Sequence, residues 1–97
     1  MMLRSLKISQ RVIQKLAQKH NVTRNEIEEC FLNRTRGMLA DTRINNQTNP
    51  PTQWFIAETD KGRQLKIVII KLTDGIYEIK TAYGPNQSEV NIYEKFA

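Results

Sequence analysis

The chain holds one cysteine, Cys30, and one histidine, His20, among its 97 residues. A single cysteine cannot close an internal disulfide, so nothing points to a stapled, secreted scaffold. With one of each, the zinc spacings built on Cys and His are unfilled. Asp41, Asp60 and Asp74 are scattered along the sequence, and the last two fall in turns, where Asp serves local hydrogen bonding. No metal and no cofactor is therefore expected. Only four glycines are present, with no Gly-rich phosphate loop, and no Ser-His-Asp set is legible. No apolar run nears the roughly 20 residues that span a bilayer. Arg4, Lys7 and Arg11 interrupt any signal-peptide core. The expectation is a soluble cytoplasmic protein with no membrane partner, folded as one domain over residues 1–97.

Acid is missing from the first 25 residues, which carry Arg4, Lys7, Arg11, Lys15, Lys19 and Arg24. The remaining nine cations face ten acids, so the net charge of +5 originates in the first quarter of the chain. A basic end attracts polyanions by steering and counterion release, and it would attract an acidic protein equally. An acid-free amphipathic N-terminus also suits an organelle transit segment, but the helix-pairing signals that follow make it part of the fold.

Ile8, Val12, Ile13, Leu16, Ala17 and His20 recur at helical spacing, with Ser9 available as N-cap. Lys7, Arg11, Lys15 and Lys19 step by four along the opposite side, either a solvated face or a surface for nucleic acid or a protein partner. Asn21 tolerates the left-handed conformation that closes a helix. Thr23-Arg24-Asn25-Glu26 has the form of a capping box, and Val22 with Ile27 that of a hydrophobic staple. Residues 8–32 thus read as a helical hairpin with Ile27, Cys30 and Phe31 inward, Cys30 as a buried small hydrophobe. Residues 34–52 have no period, although Met38-Leu39 could add a short edge strand, and Pro50 with Pro51 bars helix there. Gln53 to Thr59 alternates as a strand, with Trp54 and Ile56 on one face and Phe55 and Ala57 on the other. Two further strands, Gln64–Lys71 and Ile76–Tyr83, flank the turn Thr73-Asp74-Gly75, and Asn86 starts a last helix through Glu89, Val90 and Tyr93. Short loops demand antiparallel neighbours. The expected fold is α+β: a helical hairpin on a three- to four-stranded antiparallel sheet, then a C-terminal helix, with the helices on one face.

Four polar residues of the strand region suit phosphate chemistry. Arg63 at the strand entrance can clamp a phosphate in bidentate fashion. Lys66 and Lys80 lie on adjacent strands and share a face in one of the possible registers. Tyr83 ends its strand beside the helix start, where free N–H groups favour anions and an aromatic ring can stack on an unpaired base. Cleavage of RNA by its own 2′-hydroxyl needs a proton acceptor, charge stabilisation at phosphate and a proton donor. Arg63, Lys66, Lys80 and Tyr83 are the catalytic candidates, with Tyr93 as a binding residue. The plainer reading is a strand pair whose cations face water and whose tyrosines complete the core. His20, at a helix C-terminus where the dipole favours a cation, reads as structural.

Several segments together resemble the BrnT-like toxins of bacterial type II toxin–antitoxin systems. Lys19-His20-Asn21-Val22-Thr23 is similar to that family's Lys-His-Gly-Val-Ser, and Phe31 and Asp41-Thr42-Arg43 to its Phe and Asp-Pro-Arg. Gly62-Arg63, Leu65, Ile67 and Val68 resemble its Gly-Arg-x-Leu-x-Val-Val strand; Ile79, Thr81 and Ala82 resemble Ile-x-Ser-Ala. Glu89 with Tyr93-Glu94 is similar to its closing Glu-x-x-x-Tyr-Glu, so the likeness runs over residues 19–94. It departs at Tyr83-Gly84, where the family usually carries two arginines, and in the loop from Asn45 to Thr52. The resemblance implies a RelE/ParE-like fold and a ribonuclease that cuts mRNA, on or off the ribosome, and so inhibits translation. It also implies a neutralising DNA-binding antitoxin as partner and adds Arg43 to the binding residues.

Overall fold

A computed structural model describes residues 6–41, 51–73 and 75–97. In chain order the elements are β1 (Leu6–Lys7), α1 (Gln10–His20), α2 (Arg24–Asn33), β2 (Leu39–Ala40), β3 (Thr52–Glu58), β4 (Gln64–Thr73), β5 (Ile76–Tyr83) and α3 (Gln87–Phe96). They form an α+β fold around one sheet, ordered β1-β5-β4-β3-β2. None of the described helices is long and apolar enough to cross a membrane.

The helix ends are set by the signals in the sequence. Ser9 accepts from the Val12 N–H at 3.2 Å, and Asn21 closes α1 in the left-handed region at φ 52°. Two residues later Thr23 takes the Glu26 N–H at 3.2 Å while Glu26 Oε1 takes the Thr23 N–H at 3.1 Å, a reciprocal capping box. Val22 and Ile27 on either side of that cap are both buried. Asn86 and Glu89 repeat the device at α3, at 2.8 and 3.0 Å.

Three expectations need correction. The sheet has five strands and is mixed, because residues before α1 form β1, which pairs parallel to β5 through Leu6↔Tyr77 and Lys7↔Glu78. A two-residue strand has no period to betray it. What fixes it is Leu6 buried in the core and the Leu6 carbonyl receiving Arg24 Nη2 of α2 at 3.3 Å. Lys7 consequently lies on a strand and not on the α1 stripe. Nor do the helices gather on one face. Trp54 and Phe55 are neighbours on β3 and so point oppositely. Phe55 meets Phe31 of α2 edge-on at 4.8 Å, whereas Trp54 meets Tyr93 of α3 at 5.7 Å. The α1–α2 hairpin covers one face and α3 part of the other.

The central core sits under the hairpin, where Leu16, Ile27 and Cys30 pack with Phe55, Leu65, Ile67, Ile69 and Ile79 of the sheet. Strand β4 pairs Lys66↔Tyr83, Ile67↔Ala82 and Val68↔Thr81, then jumps to Ile69↔Ile79. The jump leaves Lys80 as the extra residue of a bulge. The register therefore sets Tyr83, not Lys80, opposite Lys66.

Both capping boxes hold exposed backbone donors that no other group serves. Thr23→Ala and Asn86→Ala are each expected to lower unfolding stability by about 1 kcal/mol. Urea denaturation with an unchanged slope would check it; a loss near zero at either position would mean the cap contributes nothing there.

Candidate functional site

Lys66 is the unusual residue of this sheet: an ammonium only 5% exposed, on the face covered by α3. Its Nζ lies 2.5 Å from Glu89 Oε2. The same ammonium stands 4.5 Å from the Trp54 ring centroid and 5.6 Å from that of Tyr83, both within cation–π range. Tyr83, directly opposite Lys66 in the β4–β5 ladder, donates its hydroxyl to Glu89 Oε2 at 3.2 Å. Glu89 Oε1 meanwhile takes the Asn86 N–H. One carboxylate therefore starts α3 with one oxygen and gathers an ammonium and a phenol on the other.

Partial burial pushes the Glu89 carboxyl upward, but three neighbours outweigh it. The Lys66 hydrogen bond, the Asn86 N–H, the Lys66 charge and the Tyr83 hydroxyl together hold it below its ordinary 4.5. It stays ionised at neutral pH, and no buried side-chain nitrogen or oxygen among the described residues lacks a hydrogen-bond partner. An apolar groove of about 520 Å³ opens beside the cluster, walled by Leu39, Trp54, Ile92 and Phe96 with Lys66 at its base.

At the other side of Tyr83 lies His20, ring centroids 5.7 Å apart and tilted by 39°. Its backbone is tied to Arg63. The turn before β4 closes through Gly62 N–H to the Thr59 carbonyl at 2.9 Å, with Gly62 at φ 84°, a conformation glycine adopts freely. Arg63 leaves this turn aimed at the α1–α2 junction. Its Nη2 donates to the His20 carbonyl at 2.9 Å, and Nη1 to the Asn21 carbonyl at 2.7 Å and to Glu26 Oε2 at 3.0 Å.

Of the residues singled out by sequence, Lys66 and Tyr83 meet directly, and Arg63 joins them only through His20. Lys80 stands apart on the bulge, exposed, 3.9 Å from Glu78. Tyr93 is core: 5% exposed, it packs on Trp54 and donates its hydroxyl to the Gly37 carbonyl at 2.7 Å. That burial pushes its hydroxyl pKa up, with the nearby Arg34 opposing. Arg11, Lys15 and Lys19 are exposed along α1 and Lys7 is exposed on β1; no ion pair to an acid joins any of the four among the described residues. Arg43 and Asp74 lie outside the described residues. The Cys30 thiol is pushed up to about 12, chiefly by burial and then by the Glu26 and Glu29 charges, which removes it as a nucleophile at neutral pH. Among the described residues no three His, Cys, Asp or Glu side chains gather to hold a metal ion.

No local pattern marks Glu89 and Trp54 as members of this cluster. Glu89 announces only a capping box, and its second role depends on how α3 lies across β4. No family model and no curated protein sequence matches this chain.

A carboxyl lowered by folding stabilises the fold above its unfolded value and loses that contribution as pH falls through the folded one. Glu89 should therefore help to hold the fold above 4.5 and cease to do so in more acidic solution. Glu89→Gln keeps the helix cap but leaves the Lys66 ammonium buried without its counter-charge, an expected loss of about 3 kcal/mol at pH 7. Adding Lys66→Met should restore much of that loss. Urea titrations between neutral and acidic pH test both points; equal stability of wild type and Glu89→Gln at pH 7 would show that the pair is not holding α3.

Proposed function

We propose that this protein is a toxin-like, metal-independent endoribonuclease that inhibits translation in the cytoplasm and is held in check by a DNA-binding antitoxin. The observation that carries the proposal is the meeting of the Lys66 ammonium and the Tyr83 phenol on one oxygen of Glu89. Clusters of partly buried acid, cation and hydroxyl that share hydrogen bonds are candidates for proton transfer and charge stabilisation. In RNA cleavage by the neighbouring 2′-hydroxyl, the Tyr83 hydroxyl turns from Glu89 and gives its proton to the departing 5′-oxygen. Lys66 beside the ring then offsets the phenolate charge, and Glu89 holds Lys66 in place. Arg63 acts on this site through the α1–α2 junction, and Lys80 is too far along the bulge to join it. The likeness to BrnT-like toxins supplies the substrate class, and the α1 cations are suited to hold it.

Purified protein in EDTA is expected to cut single-stranded RNA, and Tyr83→Phe to slow the cut by about a hundredfold with little change in melting temperature. Growth arrest on expression should disappear with the same variant. RNA left intact by the wild type, with no effect on growth even when no antitoxin is present, would end the proposal.

A second reading, a non-catalytic module for nucleic acid or an acidic protein, is favoured by the unpaired cations of α1. Arg11, Lys15 and Lys19 rise about 6 Å per step along one side of the helix. Reversing Lys7, Arg11 and Lys15 to Glu should abolish RNA binding and leave thermal stability nearly unchanged. If these residues touch phosphates of a single strand, changing the same three to Gln should leave weaker binding whose slope of log affinity against log salt is flatter by about 2. Unaltered binding would make the stripe a solvated face.

A further inference from the structure

The reaction proposed above still lacks a proton acceptor. Efficient acid–base catalysis near neutrality needs a side chain that titrates near the working pH. Phenols and alkyl ammoniums as a class hold their protons to about 10, and Glu89 is held below its ordinary range. The chain has a single imidazole, the side-chain type whose ordinary titration falls between about pH 5 and 8. The fold carries that imidazole to the far side of Tyr83, half-buried, with ring centroids 5.7 Å apart.

Its placement is unusually well held. Terminal helix carbonyls at a surface are ordinarily satisfied by water. Here Arg63 commits both terminal nitrogens to two consecutive carbonyls, those of His20 and Asn21, and is itself anchored by Glu26 of α2. Asn21 is fixed in the left-handed region at φ 52° immediately after. The residue bearing the ring thus cannot swing with a fraying helix end. His20 lies about 100° round the helix from Lys19, so its ring turns towards Tyr83 while Arg11, Lys15 and Lys19 stay exposed.

We propose that His20 is the catalytic base of this site and that Arg63 is its positioning residue, an assignment that rests on the ribonuclease reading. Neutral imidazole takes the proton of the 2′-hydroxyl as the O2′–P bond forms. The P–O5′ bond breaks, and the 5′-oxygen leaves with the proton of Tyr83. A 2′,3′-cyclic phosphate and a free 5′-hydroxyl result, and solvent returns a proton from imidazolium to phenolate. The charged and titratable groups around the ring are Lys19 on its own helix, Tyr83 on β5, and Arg63 on β4 with Glu26 of α2 behind it. Lys66 and Glu89 lie beyond Tyr83.

The test is single-turnover cleavage of a single-stranded RNA by the full chain in EDTA, followed against pH. The wild-type rate should rise about tenfold per pH unit on the acid side and then level off. His20→Gln should lose that rise and about a hundredfold in rate, with its melting temperature kept. Free imidazole should restore part of the rate to His20→Ala and none to Tyr83→Phe. Arg63→Lys should lower kcat at least tenfold, leave KM within about twofold and keep the acid limb. A His20→Gln protein that cleaves with the wild-type pH profile overturns the assignment alone. A wild type that cleaves no RNA overturns the reaction and the assignment together.

Discussion

An ammonium removed from water is the constraint from which the rest of this structure follows. Lys66 comes from the middle of the sheet and is almost wholly buried. An unpaired ion there would cost several kcal/mol, so the fold must deliver a counter-charge to that spot. It comes from α3, whose first turn sets Glu89 on Lys66 with one oxygen and closes the helix cap with the other. The start of the helix and its docking are thereby a single event. The far end is held by different means, Tyr93 on Trp54 and the Gly37 carbonyl, and Arg36 on the Glu94 carbonyl at 2.7 Å. Between these two attachments the covered face of β3 and β4 is fixed, and so is the groove beside it.

A second cation organises the opposite face. Arg63 could have faced solvent at the strand entrance, but its fork joins the sheet to the turn between α1 and α2. Both cations best placed by sequence for a phosphate are thus engaged within the molecule. Lys7 and the α1 cations Arg11, Lys15 and Lys19 are among those without an acidic partner within the described residues. The exposed cations of α1 and the Lys66–Glu89 cluster are therefore separate features of the fold.

Local signals in the sequence carried over well into the structure. Ser9, Asn21, the Thr23–Glu26 box and the Asn86–Glu89 box act within four residues, and backbone geometry alone decides them. The α+β class followed from the same signals, since helical and strand periods are local too. What was illegible depends on contacts distant in sequence. Strand β1 is two residues long and exists because β5 offers an edge. The face taken by α3 depends on Lys66, which in sequence is one more cation on an alternating strand. The contact of His20 with Tyr83 spans 63 positions of the chain, and nothing near His20 in sequence announces it. Lys80 looked equivalent to Lys66 until the bulge at Val68–Ile69 broke the pairing that would have brought the two together.

The departure at Tyr83 gains a physical meaning in this setting. A guanidinium at that position would place a second fixed positive charge next to Lys66, with Glu89 as the sole counter-charge. A phenol instead donates to Glu89 without adding a positive charge, accepts the Lys66 ammonium against its ring and lies in tilted contact with His20. Charge at this cluster is consequently balanced within the fold, one buried ammonium against one carboxylate, without a further cation at the strand end.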